Sequence, residues 1–135
     1  MTKVAIVTGA GSGIGRAVSL ALVAAGWSVT LAGRRADVLQ ETAALAAPGS
    51  TLVHPADVSD EASVDALFDA TKAHFGRLDL LFNNAGVSLP NTLPGDLSAS
   101  EWRRAVDVNL HGMFFCLSAA FKLRSEEHTS ELQSH

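Results

Sequence analysis

The sequence predicts an α/β fold: a parallel sheet, doubly wound by helices and truncated after about four strands. Three observations predict it. Short continuous apolar runs alternate with segments whose apolar residues recur at helical spacing. A cluster of glycines joins the first run to the first helical segment. Glycine or proline closes each of the first three helical segments, at Gly26, at Pro48-Gly49 and at Gly76.

The elements follow in order. Val4-Ala5-Ile6-Val7 has no polar alternation, as expected of a parallel strand covered on both faces. Ile14, Val18, Ala21, Leu22 and Ala25 then mark a helix that Gly26 stops. Val29 to Ala32 is a second strand, residues from about Ala36 to Ala46 a second helix, and Thr51-Leu52-Val53 a third strand. Ser59 or Asp60 is placed to cap a third helix carrying Val64, Leu67, Phe68 and Phe75. Leu78 to Phe82 is a fourth strand. After a loop with Pro90, Pro94 and Gly95, Ser98 is placed to cap a longer helix. Its apolar positions are Trp102, Val106, Leu110, Met113, Leu117 and Phe121.

Composition narrows the function. A chain of 135 residues, 47% hydrophobic and 18% charged, holds one domain with a sizeable core. A net charge of −4 gives no electrostatic case for nucleic acid or an anionic membrane. The pair Arg103-Arg104 reads as a solvated helix face. Cys116, the single cysteine, sits beside Phe114, Phe115 and Leu117 and reads as a buried small apolar residue. His54, His74 and His111 lie in separate segments without metal-ligand spacing, so they read as surface or loop residues and no metal is expected. No leader-like or membrane-length apolar run stands out, and the cytoplasm is the expected compartment.

The glycine cluster carries chemistry. It reads Thr8-Gly9-Ala10-Gly11-Ser12-Gly13-Ile14-Gly15, between a buried strand and an amphipathic helix. Gly9 suits a tight turn, Gly13 a close backbone approach to a pyrophosphate, and Gly15 close helix packing. The helix amino terminus offers free N–H groups and partial positive charge for phosphates. The cofactor-binding set expected here is Gly9, Ser12, Gly13, Ile14 and Gly15.

The spacing is T-G-x-x-x-G-x-G, and three more segments stand in order behind it: Asp57-Val58, Asn83-Asn84-Ala85-Gly86, and Val108-Asn109. Together they resemble the short-chain dehydrogenase/reductase family over Thr2 to Leu123. The resemblance implies a Rossmann-like fold with strand order 3-2-1-4-5-6-7 and an NAD(P)-dependent oxidoreductase that interconverts an alcohol and a carbonyl. It implies that Asp57 accepts from the adenine amino group, that Val58 lines the adenine, and that Asn84, Ala85 and Gly86 lie against the adenosine side. It implies that Asn109 opens its helix locally and holds a water in the catalytic proton relay, which makes it the one catalytic residue carried over. It also implies a homodimer or homotetramer, packed through the outer face of the long helix. The partners are then a nicotinamide dinucleotide and a small alcohol or carbonyl, with residues from Val87 to Leu97 forming one wall of the substrate pocket.

Cofactor choice turns on Leu31-Ala32-Gly33-Arg34-Arg35. An NAD site usually places a carboxylate at the end of this strand, on the ribose 2′-hydroxyl. Gly33 holds the equivalent position, and Arg34, with Arg35 behind it, is suited to a 2′-phosphate. NADP is therefore expected over NAD. Ser12 counts the other way, since NADP-dependent relatives often carry a basic residue there.

The family's catalytic centre needs a tyrosine followed four residues later by a lysine, and this chain contains no tyrosine. The chain is thus expected to be the coenzyme-binding half of an oxidoreductase and itself inactive. The alternative is a non-catalytic dinucleotide-binding or regulatory protein of the same fold. Arg124 to His135 is polar, has no apolar stripe and resembles the translation of a common sequencing-library adapter over eleven residues. The expected division is therefore a dinucleotide-binding domain over 1–123 and a non-native tail over 124–135.

Overall fold

A computed structural model describes the backbone of residues 1–86 and 93–133, and the side chains of 1–86, 93 and 95–123. Strand β1 (Val4–Thr8) is buried at every residue, which is what its unbroken apolar sequence requires. It is flanked by β2 (Ser28–Gly33) on one side and β4 (Leu80–Phe82) on the other. Strand β3 (Thr51–Pro55) lies outside β2, so the order is β3-β2-β1-β4 and every pairing is parallel. Helices α1 (Gly13–Ala24), α2 (Ala36–Ala44) and α3 (Glu61–Phe75) join successive strands.

Side chains alternate across a strand, so one sheet builds two cores. Ala5, Val7, Val29 and Leu31 pack on one face with Leu39 of α2 and Val18 and Leu22 of α1. Ile6 and Ala32 pack on the other with Val64, Leu67 and Phe68 of α3. On that second face the buried Thr71 hydroxyl donates to Thr30 Oγ1 at 2.9 Å, which satisfies both groups in an otherwise apolar layer.

The ends of the helices show why they begin and stop. Asp60, not Ser59, caps α3, accepting from the Ala62 amide at 3.1 Å, and Gly76 closes it in the left-handed conformation. Ser98 accepts from the Glu101 amide at 3.1 Å and starts α4 (Ala99–Val106). Two boundaries differ from expectation. The second helix ends at Ala44, two residues early, where the backbone tightens to i→i+3 bonds at Leu45 and Ala46. The fourth strand begins at Leu80 rather than Leu78. The Asp79 carboxylate takes the Val4 amide at 2.8 Å and the Arg77 guanidinium at 2.6 and 2.8 Å, while the Asp79 amide donates to the Val4 carbonyl at 2.8 Å, so side-chain and backbone bonds together hold the chain before the strand begins.

The long helix departs most. It runs as α4, a π-helical turn at Asp107–His111, and α5 (Gly112–Gln133). Its core-facing residues are Ala105, Val108, Cys116, Ala119 and Leu123. Of the apolar stripe expected from sequence, Trp102, Leu110, Met113, Leu117 and Phe121 face outward, Phe121 with 72% of its surface exposed. Around Gly112 the helix lies close, where a Cβ would stand 2.6 Å from Val58 Cγ2, and small residues such as Ala105, Cys116 and Ala119 face the core beside Val108 and Leu123. The backbone of α5 continues through the boundary expected at Leu123. No described helix is long and apolar enough to cross a membrane.

Candidate dinucleotide-binding site

The carboxyl ends of the strands open onto a cleft of about 300 Å³, where ligands sit in open α/β sheets. Gly9, Gly11 and Ser12 form its floor, Gly33, Arg34, Arg35 and Val38 one wall, and Ala56, Asp57 and Val58 the opposite one. Ala85, Gly86 and Val108 close the end. Eight of the thirteen residues expected in the site thus line one space: Gly9, Ser12, Arg34, Arg35, Asp57, Val58, Ala85 and Gly86.

The other five, Gly13, Ile14, Gly15, Asn84 and Asn109, lie outside the lining. Gly9 turns the chain at φ 65°, and a Cβ on Gly15 would overlap the Gly9 carbonyl, so α1 starts directly against the loop. Asn84 packs onto both glycines, its backbone oxygen 3.0 Å from where a Gly9 Cβ would stand. Gly13 has open space where a side chain would be, and Ile14 is largely exposed. Asn109 lies in the π-helical turn, its Oδ1 3.0 Å from where a Cβ of Gly86 would stand. That juxtaposition joins the strand-end motif to the one expected catalytic residue, and the helix is locally opened at that residue. Of the wall expected from Val87 to Leu97, residues 87–92 lie outside the described residues.

Two side chains that the sequence did not single out as organisers, Thr8 and Arg16, hold the site together. The buried Thr8 hydroxyl accepts from the amides of Asn84 and Ala85 at 2.8 and 2.9 Å, and so fixes the Asn83–Gly86 segment to β1. Arg16 reaches from α1 across the glycine loop to α2. Arg103 is exposed, as the reading of a solvated face expects, whereas Arg104 is half-buried, one guanidinium nitrogen shielded with no hydrogen-bond partner among the described residues. The Thr8 bonds and the Arg16–Thr42 bond span tens of residues, and no local spacing announces them. Asn83 ties two elements together, accepting from the Thr8 hydroxyl of β1 at 3.5 Å and donating from Nδ2 to the Met113 carbonyl of α5 at 3.1 Å.

Charge in the cleft is arranged around Asp57. Its Oδ1 takes both the Ser59 hydroxyl, at 2.6 Å, and the Ser59 amide, at 3.0 Å. The Ser59 hydroxyl bond does most to hold its carboxyl below the usual value; Arg104 and Arg34 add to this electrostatically. Asp57 is therefore a turn aspartate and a cleft residue at once. Arg35 is drawn to Asp37 at 2.8 Å on the surface, whereas no carboxylate among the described residues lies within ion-pair reach of Arg34. His54, read as a surface or loop residue, is instead a half-buried residue of β3, its Nδ1 shielded and without a partner among the described residues. His74 and His111 are exposed, on α3 and the π-helical turn. No cluster of three metal-ligating side chains occurs among the described residues.

Known proteins share this arrangement. The family model described as short chain dehydrogenase matches residues 3–130. An uncharacterized oxidoreductase of Staphylococcus aureus (strain N315) is 39% identical over 130 residues, covering 96% of this chain and 56% of that protein. The levodione reductase of Leifsonia aquatica is 36% identical over 129 residues, covering 93% of this chain and 48% of that one. Among solved structures, the 3-ketoacyl-(acyl-carrier-protein) reductase from Brucella melitensis, complexed with NADH, superposes with a TM-score of 0.88 at 29% identity, over 96% of this chain and 52% of that one. A short-chain dehydrogenase/reductase from Burkholderia phymatum, in complex with NAD, gives 0.85 at 36% identity, over 90% and 44%. The chain spans about half the length of the curated relatives it matches. With the glycine loop, the strand order and a match across nearly the whole chain in agreement, the chain belongs to the short-chain dehydrogenase family.

Proposed function

We propose that the chain is the coenzyme-binding half of an NAD(P)-dependent oxidoreductase, and that the parent enzyme interconverts an alcohol and a carbonyl. The observation that carries this reading is the cleft, where the glycine loop, Arg34 and Asp57 converge on one strand-end space. The NADH- and NAD-bound relatives support a nicotinamide dinucleotide as the ligand. The cradle fits such a group: Gly13 leaves open space at the start of α1, and Ser12 makes no side-chain capping bond that would compete for the leading amides.

The nicotinamide carries the hydride when bound. This chain's residues bind and orient. The loop and the start of α1 receive the pyrophosphate, Asp57 and Val58 the adenine, and Asn84, Ala85 and Gly86 the adenosine side. Asn109, in the π-helical turn, holds a water for the proton relay of the parent. The 135 residues contain no tyrosine, so the chain by itself supplies no family-type proton donor and turns over no alcohol or ketone. That same absence favours, as a second reading, a binding module without catalysis. Domain 1–123 does the binding, and 124–135 is a non-native addition.

NADP is the preferred cofactor, because the ribose wall offers Arg34 and, at Gly33, no carboxylate to repel a 2′-phosphate. A charge-assisted bond to phosphate is worth about 1.5–3 kcal/mol, or roughly 10- to 100-fold in affinity. Titration calorimetry of the chain with NADP and NAD, before and after Arg34→Ala, tests this. NADP should bind more tightly, and the substitution should collapse the ratio. Preference for NAD would sink the cofactor choice, and binding of neither would sink the site.

A further inference from the structure

The glycine loop is held from behind by two side chains whose bonds form one connected network. Arg16, in the first turn of α1, donates from Nη2 to the Gly11 carbonyl at 2.7 Å and from Nε to Thr42 Oγ1 at 2.9 Å. Thr42, on α2 and fully buried, passes its own proton to the Ala10 carbonyl at 2.9 Å. Two consecutive loop carbonyls are thereby engaged toward α2. On the other side of Ala10, its amide donates to the Ala32 carbonyl of β2 at 3.1 Å. The Arg16 charge is met by Glu41 at 3.3 Å, which leaves the guanidinium committed to the protein.

We propose that Arg16 and Thr42 are positioning residues that preset the glycine loop for a pyrophosphate and lock it to the helix bearing the cofactor-selecting wall; this rests on the cleft being a dinucleotide site. Carbonyl oxygens carry partial negative charge, and turned into the cleft they would oppose a pyrophosphate. Bonded to Thr42 and Arg16, they are kept from it, and the loop does not reorganise on binding. The lock reaches the selecting wall through Val38. Gly11 and Val38 both line the cleft, and a Cβ on Gly11 would stand 2.5 Å from Val38 Cγ2. The Val38 carbonyl also lies 3.4 Å from Arg16 Nη2. Any shift of α2 that alters the Arg34 wall therefore moves the phosphate loop with it.

The test uses the 135-residue chain as wild type, Arg16→Ala, Thr42→Val and Thr42→Ser. Thr42→Val keeps the shape and removes the hydroxyl; Thr42→Ser keeps the hydroxyl. Calorimetry with ADP-ribose, which spans the loop, and with adenosine, which carries no phosphate, separates positioning from general folding. Arg16→Ala and Thr42→Val should each weaken ADP-ribose roughly ten-fold, leave adenosine unchanged, and be matched by near wild-type behaviour of Thr42→Ser. Hydrogen exchange at the amides of residues 11–15, without ligand, should quicken in the same two variants and not in Thr42→Ser. Equal loss for both ligands would make the pair plain fold support and overturn the proposal. Unchanged exchange in the loop would overturn it whatever the binding shows. Quickened exchange in a chain whose wild type binds neither ligand would instead overturn the reading of the cleft, and the pyrophosphate role with it.

Discussion

Asp57 shows how one residue serves the turn and the cleft together. Its folded-state pKa lies below the unfolded value, chiefly because the Ser59 hydroxyl bonds the ionised form. The sign follows from linkage: its contribution to stability is complete above the unfolded carboxyl value and is lost as pH falls through the lower folded one. Ser59→Ala should raise the folded pKa toward the ordinary value and so shrink the stability that acidification removes. Carbon-detected titration of the Asp57 carboxyl in both proteins reads this directly, and an unchanged midpoint would show that Arg104 and Arg34 dominate. Thr8 offers a second residue-scale case. Thr8→Val would leave the Asn84 and Ala85 amides unpaired, at a cost of roughly 1–3 kcal/mol for each buried group left unsatisfied. A fall of that size in the urea-unfolding free energy is expected, with little change in the slope. The glycines were legible from sequence because each meets a backbone constraint within a few residues of itself. Thr8 was quoted in the motif but not as an organiser, because its partners lie more than seventy residues away.

At the scale of elements, the strands and three of the helices were legible because burial on both faces of a parallel strand leaves an unbroken apolar run, as at Val4 to Val7. Periodicity said less about the long helix. It carries apolar residues on two faces, large ones at Leu110, Met113, Leu117 and Phe121 and small ones at Ala105, Cys116 and Ala119. A spacing rule finds both and ranks the large ones first, yet where the helix lies close over the sheet, as at Gly112, the small ones face in, and Leu123 is the large residue on that side. Gly112→Ala tests that closeness. Its new methyl would press on Val58 Cγ2 and on the Val58 carbonyl, 3.0 Å away, and backbone yields less readily than a side chain. A destabilisation of about 1–3 kcal/mol is expected, with weakened nucleotide binding because Val58 lines the cleft. Calorimetric unfolding and a nucleotide titration would check both, and neutral effects would mean that the helix has room to lift. The π-helical turn was anticipated only through the family resemblance.

The whole molecule carries two surfaces of unusual character. Strand β4 is an edge of the sheet, with Leu80 exposed, and the outward stripe of the long helix includes Phe114 at 63% exposure. An apolar edge strand templates pairing, and a contiguous apolar stripe favours association. The chain is expected to self-associate and to melt broadly. Light scattering on the purified chain would check this, and a monodisperse monomer with a sharp cooperative melt would count against it. The packing of the long helix on its other face has a separate use. Cys116 is fully enclosed where α5 meets α3, and burial pushes its thiol up to about 11. A thiol so placed meets a disulfide reagent only when the helix swings away. Its labelling rate is thus a native clock for that excursion, running without any introduced probe, and a bound nucleotide that steadies the sheet beneath should slow it.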